Sequence, residues 1–152
     1  MPKYYKLIAE NRKAYFDYHI IDTFKAGIVL SGNEVKSVRL GRVNFKDAFG
    51  RVENGEVFLY NMNISPYEKG RVSSADADRV RKLLLESREL RKIIGQVSQK
   101  GMTLVPTKIY FDGDWAKVDI ALAKAKRKYE KRESIRQKET DREIEKVLKG
   151  KS

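Results

Sequence analysis

Apolar positions in this chain switch between a two-residue and a three-to-four-residue period, and the switches divide it into elements. Leu7-Ile8-Ala9 reads as a first strand, followed by a basic turn at Asn11-Arg12-Lys13. Tyr15 to Phe24 alternates loosely in a β-rich composition and runs as a strand toward Gly27. Ile28 to Leu30 is a short apolar run of strand composition, and Ser31-Gly32-Asn33 is turn chemistry. From Glu34 to Leu40 the period lengthens. Val35 and Val38, with Leu40 as a further candidate, face inward on a short helix, while Lys36 and Arg39 lie three apart on another face. Gly41 fits the helix end, and Val43 to Phe45 starts the next strand.

Val43 to Glu53 and Glu56 to Ile64 flank Asn54-Gly55, the strongest short-range hairpin signal, and Pro66 closes the pair because a mid-sheet proline loses a ladder bond. Glu68 to Ala77 is small and polar and reads as a loop. Asp78 to Lys100 reads as helical: Val80, Leu83, Leu84, Leu90, Ile93, Ile94 and Val97 recur at three- and four-residue steps. A break is expected near Glu86, with Ser87 capping the second part and Gly101 ending it. Thr103 to Phe111 and Trp115 to Ala121 are two more strands, joined at Asp112-Gly113-Asp114. The pattern predicts a mainly β fold, a small antiparallel barrel of oligonucleotide-binding type with about six strands and three short helices. Trp115 is expected to pack in that barrel.

A chain of 152 residues with 41% hydrophobic positions suffices for one domain with a real core. Charged residues reach 36% and the net charge is +12, which favours an anionic partner, nucleic acid before acidic membrane. Half of that charge, +6, lies in residues 124–152, which sets a boundary between a folded body, 1–123, and a basic tail, 124–152. The tail's few apolar residues cannot offset an ordering cost of about 1–2 kcal/mol per residue, so it is expected to be disordered alone and to order as a helix against a partner. No apolar run approaches the ~18 residues of a membrane span, the N-terminus lacks a signal peptide's apolar core, and there is no cysteine. A cytoplasmic monomer is expected.

Catalytic chemistry has little to stand on. His19 is the single histidine and sits in a strand-like run, where a structural or surface role suffices. Asp112 and Asp114 are candidate Mg²⁺ ligands, the basis of a nuclease reading, but a D-G-D turn is ordinarily a hairpin loop. No phosphate-binding glycine loop or zinc motif is present, so neither enzyme activity nor a cofactor is expected. RNA binding has more support. It needs clustered cations, stacking aromatics and side chains that reach the 2′-hydroxyl. Candidates are Asn11, Arg12, Lys36, Arg39, Arg42, Arg81, Lys82 and Lys117, each also readable as a plain solvating residue.

G-I-V-L-S-G-N-E-V-K-S-V-R from Gly27, the V-N-F-K-D that follows, R-K-L-L-L from Arg81, the strand around Trp115 and L-A-K-A-K-R-K-Y-E-K-R-E resemble, in order, the SsrA-binding protein (small protein B) family. The resemblance implies binding to the tRNA-like domain of transfer-messenger RNA, across the elbow of its D and T loops, and rescue of stalled ribosomes by trans-translation. It implies RNA contacts at Asn11, Glu34, Lys36, Arg39, Lys82, Leu84 and Lys117. It also implies decoding-centre and mRNA-channel contacts of the small subunit at Lys124, Lys126, Arg127, Lys128, Tyr129, Lys131 and Arg132. Three positions depart from the family pattern. Lys25 replaces a Glu and is left out of the implied site, Ala125 replaces a Gly with Glu130 in place of an Asp, and Ala75-Asp76-Ala77 stands where H-D-P is usual. The rival reading is a ribosomal or assembly protein holding folded rRNA.

Overall fold

Val118, Ile120 and Leu122 alternate with Lys117, Asp119 and Ala121 along one strand, and the first three are fully buried. Period-two burial of this kind turns one face of a strand to a core and the other outward. Phe24, Ala26 and Ile28 of one neighbouring strand alternate in the same way, whereas 104–107 and 109–111 of the other are buried without a break. The computed structural model describes residues 5–66 and 77–127, and in the tail 131, 132, 135–137, 139, 140 and 142.

The elements are β1 (Tyr5–Glu10), α1 (Arg12–Asp17), β2 (Tyr18–Ile28), α2 (Gly32–Arg39), β3 (Val43–Asn44), β4 (Phe49–Glu53), β5 (Glu56–Tyr60), β6 (Asn63–Ile64), β7 (Arg81–Leu84), α3 (Ser87–Val97), β8 (Met102–Asp112) and β9 (Trp115–Ala125). The described tail residues beyond 130 are helical. Antiparallel pairing runs β8-β4-β5-β7-β2-β9 and returns to β8, so six strands close a ring. β1 adds to the outside of that ring along the second half of β8, and β3 pairs with β6 as a separate ribbon. The nine described strands exceed the expected six because β7 stands where a helix was expected and because β3 and β6 are separate from β4 and β5.

The ring is filled by Ala26, Val57, Leu59, Leu104, Ile109, Val118, Ile120 and Leu122, all fully buried. Each large aliphatic among them contributes about 1.5–3 kcal/mol relative to exposure. Val38 of α2 and Ile93 of α3 join the same core, so two helices pack onto it. α1 lies on the outer face, where Ala14 meets Val105, Ala121 and Ala123. Small residues on β9 let that short helix approach.

Several sequence expectations change. The basic turn at Asn11-Arg12-Lys13 is the start of α1, which also takes Tyr15 to Asp17 out of the expected strand. Ile28 ends β2 rather than opening a strand of its own. Val43 to Glu53 is not one strand. Asn44 Oδ1 accepts the Lys46 amide at 2.9 Å and Asp47 has φ of 61°, so the chain turns between β3 and β4. Arg81 to Leu84 is strand β7, not helix: Arg81 and Leu83 are buried while Leu84 is exposed, and the segment bridges β5 and β2. The break near Glu86 is present, with Glu86 rather than Ser87 at the cap position of α3. Leu40 is 57% exposed and Trp115 is 74% exposed, so neither packs in the core. Most of the expected loop from Glu68 lies outside the described residues.

Ring closure at β4–β8 gives a direct test. A Cβ on Gly50 would lie 2.9 Å from Leu104 Cβ and 3.3 Å from Ile120 Cδ1, whereas one on Gly95 of α3 meets nothing within 4 Å. Gly50→Ala should therefore lose about 1–3 kcal/mol by overpacking. Gly95→Ala should gain about 0.5–1 kcal/mol of helix propensity. Urea-unfolding midpoints measure both, and a Gly50→Ala protein as stable as wild type would mean that the strands do not meet there.

Candidate nucleic-acid interface

α2 begins with a capping box. Ser31 N–H donates to Glu34 Oε1 at 2.9 Å and Glu34 N–H donates to Ser31 Oγ at 3.3 Å, satisfying two donors that a helix start leaves open. The same Glu34 carboxylate accepts from Arg79 and from Arg81 Nε at 2.6 Å. Arg81 is fully buried; it also donates to the Met62 carbonyl at 2.6 Å and the Ala77 carbonyl at 3.1 Å. Burial alone would raise the Glu34 carboxyl, but hydrogen bonds from Arg79, Ser31 N–H and Arg81 outweigh it and hold the group below its ordinary range.

At the other end of α2, the Arg39 guanidinium carbon sits 5.2 Å from the centre of the Phe111 ring, a cation–π distance. Helix α2 thus spans from β7, through Glu34 and Arg81, to β8, through Arg39 and Phe111. Val38 enters the core between them, and Lys36 and Arg39 are presented outward.

The strand residues meet in one row. Gly27 on β2 pairs with Leu84 on β7 and with Lys117 on β9, and Lys117 pairs with Tyr110 on β8. Directly opposite residues of antiparallel strands share a face. Leu84 and Lys117 therefore flank a glycine that lets the Leu84 side chain lie over it, since a Cβ there would lie 3.4 Å from Leu84 Cβ. Lys82, two residues from Leu84 and on the same face, places its ammonium 2.9 Å from Glu56. Lys25 lies opposite Asp119 across β2 and β9. Asp119 also accepts from the Tyr110 hydroxyl at 2.9 Å; burial first, and then this bond, push the phenol well above its ordinary range.

Asn11 and Arg12 form a second group. The Asn11 side chain donates to the Pro106 carbonyl at 2.9 Å and its amide to Thr107 at 2.7 Å. Three residue steps along β8 separate Thr107 from Tyr110, about 10 Å. A cavity of about 430 Å³ opens beside this group, with Asn11, Arg12 and Lys13 on one wall and Asn44, Lys46 and Asp47 on the other.

The basic tail leaves the far end of β9. Lys124 and Ala125 are still strand, paired with His19 and Tyr18, so β9 continues past the boundary expected at 123. The Lys126 amide donates to the Asp17 carbonyl at 2.9 Å and Lys131 Nζ lies 3.3 Å from Asp17 Oδ1. Arg127 and Arg132 are exposed; Lys128 and Tyr129 lie outside the described residues. Lys117 and Lys124 are seven residues apart on one strand, about 23 Å.

The structure thus brings Lys36, Arg39, Leu84 and Lys117 to one end of the ring, with Asn11 and Arg12 along β8 and the tail apart. Arg81 is withdrawn from the candidates because it is the buried partner of Glu34. Arg42 donates to the Pro66 carbonyl at 3.4 Å. Asp112 and Asp114 flank the β8–β9 turn, and among the described residues no group of three or more His, Cys, Asp or Glu is placed to hold a metal. Among them, too, no helix is long and apolar enough to cross a membrane.

Because the Glu34 carboxyl is held below its ordinary value of 4.5, its charged form stabilises the fold above that pH, and the contribution is lost as pH falls through the lowered value. Glu34→Gln should be less stable than wild type at neutral pH, and the gap should narrow on acidification below about 4.5, as followed by circular dichroism during urea unfolding. Arg81→Met should cost about 3–5 kcal/mol, because it strips one partner from a desolvated pair and orphans the Met62 carbonyl.

A profile of the SmpB protein family matches residues 8–150. The SsrA-binding protein of Carboxydothermus hydrogenoformans is 54% identical over 145 residues, covering 95% of this chain and 97% of that one. That of Caldicellulosiruptor bescii is 58% identical over 144 residues, covering 95% and 91%. A chain from a solved structure described as "tmRNA-SmpB: a journey to the center of the bacterial ribosome" superposes with a TM-score of 0.68 and 48% identity, over 90% of this chain and 96% of that one. With a family profile spanning nearly its whole length and relatives more than half identical end to end, this chain belongs to the SmpB protein family.

Proposed function

We propose that this chain is a non-catalytic RNA-binding factor that holds the tRNA-like domain of transfer-messenger RNA and acts with it on stalled ribosomes in trans-translation. The carrying observation, beside family membership, is the row Leu84–Gly27–Lys117 next to the outward cations of α2. Lys36, Arg39 and Lys117 supply charge for phosphates, and Leu84, lying over Gly27, supplies an apolar seat for a loop. Asn11 and Arg12 extend the surface along β8, and Lys82 adds a cation if Glu56 releases it. Glu34 acts through α2: its carboxylate is committed to Ser31, Arg79 and Arg81, so it positions the platform. The ring reads as a small barrel of oligonucleotide-binding type, and the body and tail read as separate binding units.

The tail root lies about 23 Å from Lys117 along β9, which suits two partners held at once. Lys124, Lys126, Arg127, Lys128, Tyr129, Lys131 and Arg132 take the decoding centre and the empty mRNA channel of the small subunit. A location in the cytoplasm, where ribosomes work, goes with this role. Tyr129 among cations is suited to stack on a base.

With about five phosphates neutralised by Arg12, Lys36, Arg39, Lys82 and Lys117, log K should fall against log salt with a slope of about −4. Arg39→Ala and Lys117→Ala should each weaken binding and make the slope shallower by about 1 in filter-binding titrations. A wild-type slope near zero would sink the basic-platform reading.

A chain ending at Arg127 keeps every ring pairing and the Lys126–Asp17 bond. It should bind the tRNA-like domain with most of the full-length affinity and fail to support peptide tagging on ribosomes stalled in a reconstituted translation reaction. Tagging at the full-length rate would leave the tail without the assigned role.

A further inference from the structure

Trp115 is the single tryptophan of the chain, and it sits at the start of β9 with 74% of its surface exposed. That exposure needs a reason. An indole buries a large apolar area when the fold offers a place for it. The next residues show that the place exists on the other face: Ala116 packs against the core and Val118 is fully buried within it. The register turns Trp115 outward instead, to the same face as Lys117 two residues on, with the two Cα atoms about 7 Å apart. Leu84, across Gly27 from Lys117, is 51% exposed, and Val29, two residues beyond Gly27, is 45% exposed. An aromatic plane and two aliphatic side chains therefore border the lysine.

The charges around the indole are sorted. Lys117 lies toward the ring, two residues along β9 on the same face. Asp112, the strand partner of Trp115, and Asp114, just before it, lie at the hairpin tip. Phosphate is attracted to the first group and repelled by the second. A neutral, flat, apolar group is what remains suited to the indole itself.

We propose that Trp115 is a stacking platform for an unpaired base of the bound RNA, with Lys117 holding the adjoining phosphate. The proposal rests on the RNA-binding reading above and gives an RNA contact to a residue that the sequence pattern expects in the barrel and that the implied RNA contacts omit. Stacking is tolerant of base identity because every base has a π-face, and it adds affinity without adding to the salt dependence.

The full-length protein is titrated with the isolated tRNA-like domain of transfer-messenger RNA, reading Trp115 emission in wild type and filter binding in wild type, Trp115→Phe and Trp115→Ala. Emission should be quenched in parallel with binding. Trp115→Ala should bind about 5- to 150-fold more weakly with an unchanged salt slope, and Trp115→Phe should recover most of the loss. Thermal melts of both variants should match wild type, since the side chain is outside the core. Wild-type affinity in Trp115→Ala with unquenched emission at saturation overturns the stacking contact and leaves the RNA-binding reading standing. Equal losses in the two variants also overturn it, because a phenyl ring stacks. If the wild-type protein binds no tRNA-like RNA, both readings fall together.

Discussion

The ion pair between Glu34 and the fully buried Arg81 decides where α2 lies, and much of the surface chemistry follows from that. A guanidinium out of water must have its donors met, and Arg81 meets them with Glu34 and the carbonyls of Met62 and Ala77. Those partners come from α2, from the segment beside β6 and from the approach to β7. One cation thus joins three parts of the chain that are distant in sequence. Such a pair is poor evidence of net stability, since replacing it with well-packed apolar groups is often neutral. Its value here is geometric: it fixes the rotation of a two-turn helix, and so the direction of Lys36 and Arg39.

The second constraint is the length of β8 and β9. At 11 residues each they are long for a small domain, and both take part in more than one set of pairings. β8 carries β1 and β4 on one edge and β9 on the other. The start of α1, anchored at Pro106 and Thr107, and Lys117, opposite Tyr110, are placed by the same two strands. Their spacing is therefore a property of strand geometry.

Turn chemistry made the hairpins legible from sequence. Asn54-Gly55 and Asp112-Gly113-Asp114 were placed where the ladders turn, and φ at Asn54, Gly55 and Gly113 is positive, as those residue types allow. The stretch from Arg81 to Leu84 was misread because an arginine followed by a leucine run fits a helix face as well as a strand. What decides it is remote: β5 and β2 each have an open edge, and only a strand between them closes the ring. α1 was missed because it has no side-chain cap and one fully buried residue, Ala14. Trp115 was assigned inward on hydrophobicity, but the two-residue loop before it sets the register and turns it out. Arg81 counted as a surface cation for a similar reason, as composition does not say which arginine has a carboxylate waiting inside.

β9 carries Lys117 near one end and Lys124 near the other, with ladder partners on both sides along most of its length. A strand so braced works as a rigid spacer between two attachment points. In the proposed role the two ends face different partners, and the strand holds the RNA-facing end and the tail root at a nearly constant displacement. An inserted or deleted pair of residues in β9 would keep every side chain on its own face and still change that displacement, so the two partners would be held in a different relative position.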